Sequence, residues 1–251
     1  MLGISRSKLL ERWTDQLWKR LTPEWKLTSG VAIRLDSISD WIVFCDLFVD
    51  LEYDPAIRRL LEATSKQQAP CVVDLGANVG FFILRLHHLW RQTHGDDVPV
   101  PVIHAFEASQ RLSSELQSRL ARQPYDCRVS LRQGLVGKRR STGRYKEDLF
   151  HISNRVDPGG AGAAQRYIDV EATLPRDSRI ALLKCDIEGS ELDFITEYPE
   201  LLDRTDAVLI ELHDEHCDVD QCRRLLIARG FDQAVVLREF RTFSVELFSR
   251  A

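Results

Sequence analysis

Val72-Val-Asp-Leu-Gly-Ala-Asn-Val-Gly-Phe-Phe82 decides the fold of this 251-residue chain. An apolar run ends in an acid, Asp74, then passes through a turn bracketed by Gly76 and Gly80 into a second apolar stretch. Glycine at those two places permits backbone angles closed to other residues and lets a ligand approach the main chain. A strand, a tight turn and a helix form the opening unit of an open α/β sheet. In such sheets ligands settle outside the carboxyl ends of the strands.

The same rhythm continues toward the C-terminus. Strand-like runs at 71–75, 100–106, 128–133, 180–186 and 207–212 alternate with helix-like runs at 81–91, 110–122, 191–202 and 219–229. Nearly continuous apolar strands separated by helices predict a mainly parallel sheet covered on both faces. The runs at 233–238 and 242–248 have only a short link between them, which forces an antiparallel hairpin.

Toward the N-terminus, Leu10, Trp13, Leu17 and Leu21 recur at helical spacing and predict an amphipathic helix over 6–21. Two short strand-like pieces flank Ser29-Gly30, an apolar helix covers 40–49, and Asp54-Pro55 caps a helix through Thr64. Residues 1–65 offer too little core to fold alone. They read as a helical extension or lid on a Rossmann-like domain that spans 66–251. The Trp13/Trp18 helix reads as packing or a homodimer contact rather than a substrate lid. Residues 153–164, with Asp157-Pro-Gly-Gly-Ala-Gly-Ala-Ala164, read as a mobile loop.

A formal net charge of -4 argues against a nucleic-acid partner held by bulk electrostatics. No apolar run approaches the roughly 18 residues that span a bilayer, and the first residues lack the apolar core of a signal peptide. The six cysteines form no CxxC pair, and Cys45, Cys71 and Cys185 sit in apolar runs. They read as reduced core residues of a cytoplasmic protein with no membrane partner.

The chemistry begins with Glu107, which ends the second strand. A carboxylate there accepts both ribose hydroxyls of a nucleoside cofactor; its bland reading is a solvated acid at a strand end. Nicotinamide dinucleotides ask for G-x-G-x-x-G, in which a central glycine admits the pyrophosphate. Here Asn78 stands in the middle, and Asp74 repels a pyrophosphate but suits a sulfonium and an ammonium. The charge pattern therefore favours S-adenosylmethionine, and the terminal hairpin points the same way.

A third signal is Ala181-Leu-Leu-Lys-Cys-Asp-Ile-Glu-Gly-Ser-Glu-Leu192, a strand ending in Lys184, Asp186, Glu188 and Glu191. Lys184 and Asp186 share a face, so each sets the other's charge; the bland reading is a capped helix start. A fourth is Val208-Leu-Ile-Glu-Leu-His-Asp214, which puts Glu211 and His213 on one face. His213 is either a general base or a plainly hydrogen-bonded imidazole. Asp186, Glu188, Glu211 and His213 also offer hard oxygens and an imidazole to a divalent cation. His213, His216, Cys217 and Cys222 are zinc-like in kind but not in spacing. No metal is assigned. Lys138, Arg139 and Arg140 belong to a basic stretch over 128–146, read as a solvated hairpin or a landing site for an acidic substrate.

Together the four motifs resemble the FkbM family of methyltransferases over residues 40–246, and Glu52-Tyr53 resembles that family's entry segment. The Lys-x-Asp-x-Glu-Gly-x-Glu string from Lys184 is the most specific of them. The resemblance implies a seven-stranded class I methyltransferase sheet and S-adenosylmethionine as cofactor, leaving as S-adenosylhomocysteine. It also implies O-methylation of a small-molecule acceptor, a sugar or natural product. It places Asp74, Gly76, Ala77, Asn78, Gly80, Glu107, Ala108 and Tyr53 at the cofactor, with Asp186 near its amine or the acceptor. The chain departs from the family at Gln133-Gly-Leu-Val-Gly, where an acid often meets adenine. Leu135 and Val136 are expected to supply apolar and backbone contacts instead. Asp186, His213 and Glu188, in that order, are the expected proton acceptors, with Lys184 beside them. N-methylation, a nicotinamide oxidoreductase and a catalytically silent cofactor-binding module stand as alternatives.

Overall fold

The computed structural model describes residues 17–18, 20–64, 69–147, 155–156 and 162–250. Its central sheet is built from β3 (Cys71–Leu75), β4 (Val102–Glu107), β5 (Val129–Gln133), β9 (Ile180–Cys185), β10 (Ala207–His213), β11 (Gln233–Glu239) and β12 (Phe243–Ser249). They lie in the order β11-β12-β10-β9-β3-β4-β5. The run from β10 to β5 is parallel. β12 enters antiparallel between β10 and β11, because the link at 240–242 is too short for a crossover. The chain builds outward from β3 through β4 to β5, then returns to lay β9 against the other side of β3. The strand order reverses there, and a crevice opens between the carboxyl ends of β3 and β9.

Alternation along each strand buries both faces. Val72, Leu182 and Leu209 belong to one core, while their neighbours Val73, Leu183 and Ile210 belong to the other. The helices that cover the sheet are α1 (Ile38–Phe44), α2 (Asp54–Ala63), α3 (Phe81–His94), α4 (Gln110–Leu120), α5 (Glu191–Glu197), α6 (Pro199–Asp203) and α7 (Val219–Ala228). A hairpin of β1 (Glu24–Lys26) and β2 (Ala32–Arg34) precedes them. Val31, Ile33, Leu35, Ile57 and Leu60 pack into the same core as Val72 and Leu182.

Several expectations change in detail. The helix expected over 191–202 is broken into α5 and α6, since Pro199 has no amide hydrogen to continue the ladder. The helix at 40–49 begins at Ile38 and widens into a π-helical turn over Cys45–Val49. Asp54 is not a cap but the first residue of α2, and its carboxylate receives Arg85 at 2.7 Å through both Nε and Nη2. The basic stretch is not a hairpin. β5 closes the edge of the central sheet, and β6 (Thr142–Lys146) joins β7 (Arg155–Val156) and β8 (Ala163–Arg166) in a separate antiparallel sheet. Arg139 in that stretch pairs with Glu171 at 2.7 Å and Glu200 at 3.0 Å. The segment expected as a loop thus carries β7 and the start of β8. The rest of that loop, and all but the end of the helix expected over 6–21, lie outside the described residues. All six cysteines are free thiols. No helix among the described residues is long and apolar enough to cross a membrane.

Candidate functional site

The site begins at the turn after β3. Gly76 has φ +76°, and a Cβ there would lie 1.7 Å from the Asp186 carbonyl oxygen, so no side chain fits. The amides of Gly76 and Ala77 both donate to the Phe106 carbonyl, at 3.0 and 2.8 Å, which hangs the turn on the end of β4. Asn78 also sits in the left-handed region at φ +50°. Its amide donates to Glu107 Oε2 at 2.8 Å, and the Ser109 amide donates to Oε1 at 2.8 Å. Each carboxylate oxygen accepts more than one hydrogen bond, so both retain capacity toward a ligand. Burial pushes the Glu107 carboxyl up to about 7, against the pull of those two amides.

Glu107 lies in the wall of a narrow slot of about 60 Å³. Gly76, Asn78, Phe106, Ala108 and Leu112 line one part of it, and Gly134, Leu135, Val136 and Tyr145 another. Leu135 and Val136, expected at the adenine, line this slot with Glu107. Tyr145 and Leu112 were missed. Tyr145 left a signal, being the one aromatic in the polar strand Thr142–Lys146, and it is buried.

Beyond Asn78, Asp186 and Glu188, which line both cavities, lies a chamber of about 530 Å³. Its walls bring together Lys184, Asp186, Glu188, Glu211, His213, Ala77 and Tyr53. Phe81, Phe82, Phe240 and Phe243 add aromatic faces; Asp46 adds an acid that sequence reasoning missed, and Glu52, noted only as part of the entry segment, adds another. Arg238 donates to Asp46 at 3.0 Å and Glu52 at 2.8 Å, a pairing across more than 180 residues that no local pattern announces. Tyr53 donates to Glu211 at 3.4 Å.

Asp74 and Gly80 line neither cavity. Asp74 is fully buried, Lys184 Nζ stands 3.5 Å from its Oδ1, and among the described residues no closer donor reaches either oxygen. Burial pushes the Asp74 carboxyl up to about 6, although Lys184 opposes the shift. Gly80 lets α3 start against Leu116, whose Cδ1 would lie 2.2 Å from any Cβ. Lys184 donates to the Gly76 carbonyl at 2.6 Å and stands 3.4 Å from Asp186 Oδ2, so it clips β9 to the glycine turn. Burial alone would lower its pKa, but Asp186, Asp74 and Glu211 outweigh burial and raise it.

His213 is enclosed by acids. Its Nδ1 is 3.0 Å from Glu191 Oε1, and its Nε2 is 3.5 Å from both Glu188 Oε2 and Glu211 Oε1. Burial resists the charged form, yet the hydrogen bonds and charges of these carboxylates push the imidazole up to about 12. Glu188, at φ +53°, is pushed up to about 9 by burial and by Asp186.

In sequence the chain is 29% identical over 236 residues to Methyltransferase 1 of Beauveria bassiana (strain ARSEF 2860), covering 86% of this chain and 89% of that protein. No protein-family model matches it. In structure it is similar to the METTL16 MTase domain, with a TM-score of 0.51 at 11% identity, over 97% of this chain and 91% of that one. It is also similar to the bifunctional kinase-methyltransferase WbdD, with a TM-score of 0.46 at 20% identity over 82% of this chain. The chain spans about two fifths of the WbdD chain, 39%. The seven-stranded sheet with its one antiparallel strand is a Rossmann-like methyltransferase fold.

Proposed function

We propose that this chain is an S-adenosylmethionine-dependent methyltransferase of FkbM type that methylates a hydroxyl on a small acceptor, a sugar or natural product. The observation that carries this reading is the junction at Asn78, Asp186 and Glu188, where a slot lined by Glu107 and apolar side chains opens into a wider acidic and aromatic chamber. The donor set fits the cofactor. Glu107 is a buried carboxylate with lone pairs to spare for ribose hydroxyls, and Leu112, Leu135, Val136 and Tyr145 form an apolar cleft for a base. The half-buried Asp186 lies at the junction, toward the end where a sulfonium and an ammonium belong, and the buried Asp74 acts behind it through Lys184.

When bound, S-adenosylmethionine supplies a methyl on a sulfonium, and its in-line transfer to an oxygen leaves neutral S-adenosylhomocysteine and one proton to be placed. Asp186 faces both cavities and is positioned to take that proton. Lys184 keeps the Asp186 carboxylate and the glycine turn in one arrangement, so that donor and acceptor are held in line. Glu188 and His213 form the adjoining wall. Residues 42–53 supply part of the chamber's wall, through Ile42, Val43, Leu47 and Tyr53.

Calorimetry with S-adenosylhomocysteine and with NAD tests the reading. S-adenosylhomocysteine is expected to bind, and Glu107→Gln to weaken it about 10- to 100-fold, the worth of charge-assisted hydrogen bonds. Binding of NAD with no heat from S-adenosylhomocysteine overturns it.

A further inference from the structure

One ligand atom from each of Asp186, Glu211 and His213 lies within 4.8 Å of the others, in the chamber wall. The topology makes this meeting. Glu211 and His213 are two apart on β10 and leave the sheet on one face, and β9 runs beside β10 and delivers Asp186 from its end.

The orientation of His213 is set from behind. Glu191 is fully buried, and its Oε1 takes the Gly189 amide at 3.0 Å and faces His213 Nδ1 at 3.0 Å. With Nδ1 committed, Nε2 of a histidine that is itself nine-tenths buried points into the chamber, 3.5 Å from Glu211 and from Glu188. Those separations exceed the roughly 2.7–3.2 Å of a good hydrogen bond. They also exceed the roughly 3.0 Å between neighbouring donors of a six-coordinate ion with bonds of about 2.1 Å, so the three side chains would draw in by about half an ångström around one. A buried carboxylate on the far nitrogen is the arrangement that accompanies metal-ligating histidines. Charge agrees with geometry. Arg238 answers Asp46 and Glu52, and Lys184 answers Asp74 and Asp186. Among the described residues, His213 is the sole ion-pair partner of Glu188 and Glu211.

We infer that Asp186, Glu211 and His213 form a binding site for a divalent cation of the Mg²⁺ or Mn²⁺ kind, which takes the place of the proton on His213 Nε2 and releases it to solvent, with Glu188 adjacent and Glu191 as the positioning residue behind the imidazole. Two carboxylates and one imidazole suit a hard ion, and the cysteines at 217 and 222 are not in the group. A six-coordinate ion held by three side chains keeps about three positions. That leaves room for two oxygens of one acceptor. The acceptor class is then a hydroxyl beside a second oxygen, as in a vicinal diol, a catechol or a hydroxy acid, and the bound hydroxyl is made more acidic. This use of the ion rests on the methyl-transfer reading; the binding of the ion does not.

The test is a titration of the full chain with MnCl₂, without cofactor, followed by the electron paramagnetic resonance of free Mn²⁺. One saturable ion per chain that Mg²⁺ displaces is expected. Glu211→Gln should weaken it at least 10-fold, and Glu191→Gln about 10- to 100-fold through the freed imidazole. Circular dichroism shows whether each variant is folded, and the wild-type titration decides the matter without them. Absence of binding up to millimolar Mn²⁺, or binding that both folded variants leave unchanged, overturns the site. So does stabilisation by a simple diamine but not by Mn²⁺, which gives the acids to a cationic acceptor instead. Heat from S-adenosylhomocysteine with no Mn²⁺ binding sinks this site alone, and the converse sinks the methyl-transfer reading alone.

Discussion

Glu107 concentrates the pH behaviour of the cofactor slot in one side chain. Its carboxyl is pushed up to about 7 by burial, yet the ionised form is the one that accepts hydroxyl protons best. At pH 6 only about a tenth of the apo protein carries that charge, and at pH 8 about nine tenths, so affinity for S-adenosylhomocysteine should rise roughly ten-fold between them. Calorimetry at the two pH values measures this, and Glu107→Gln should bind more weakly with a flatter profile. The stability sign is opposite. Because the folded value lies above the unfolded one of about 4.3, this group favours the fold below pH 4 and that contribution is lost as pH rises from there through 7, by about 4 kcal/mol. Urea unfolding of the apo protein between pH 5 and 8 reads that trend, and saturating S-adenosylhomocysteine should diminish it. The placement of Glu107 was legible because it ends a strand beside a glycine turn. The task of Glu191 was not, because its partner His213 is 22 residues away and comes near only when β10 is laid against β9.

Among the elements, α2 and α3 are tied by the buried pair of Asp54 and Arg85, with both side chains under a tenth exposed. Removing one partner strands a charge. Asp54→Ala should cost about 3–5 kcal/mol in urea unfolding, while Asp54→Leu with Arg85→Met should recover much of that loss. The turn between β3 and α3 is less forgiving. Gly76→Ala drives a methyl into the backbone of Asp186, so this variant should lose S-adenosylhomocysteine binding even where it still folds. The central strands were readable to within two residues, since apolar runs bounded by acids and glycines leave little choice of register. The π-helical turn at Cys45–Val49 and the small β6–β8 sheet were not. Short polar strands such as Thr142–Lys146 take their pairing from partners remote in sequence, and periodicity carries no trace of that.

At the scale of the whole molecule, the sequence separated residues 1–65 from the rest, and the packing bears on what that separation means. Val31, Ile33, Leu35 and Ile57 are fully buried, and they share a core with Val72, Leu182 and Leu209 of the central sheet. Each such side chain contributes about 1.5–3 kcal/mol by burial. Four of them together match the 5–15 kcal/mol, roughly, that separates a whole domain from its unfolded state. The hairpin of β1 and β2 with α1 and α2 therefore covers a face of the sheet that cannot stand in water. A chain beginning at residue 66 should lack a cooperative thermal transition, whereas the full chain should melt in one step. S-adenosylhomocysteine at 100 times its dissociation constant should raise the full chain's stability by about 2.7 kcal/mol. Differential scanning calorimetry of both chains decides the point. A sharp melt of the shortened chain, shifted upward by S-adenosylhomocysteine, would make the N-terminal segment a dispensable cover, and the fixed wall it gives the chamber through Tyr53 and Leu47 would have to be replaced by a moving one.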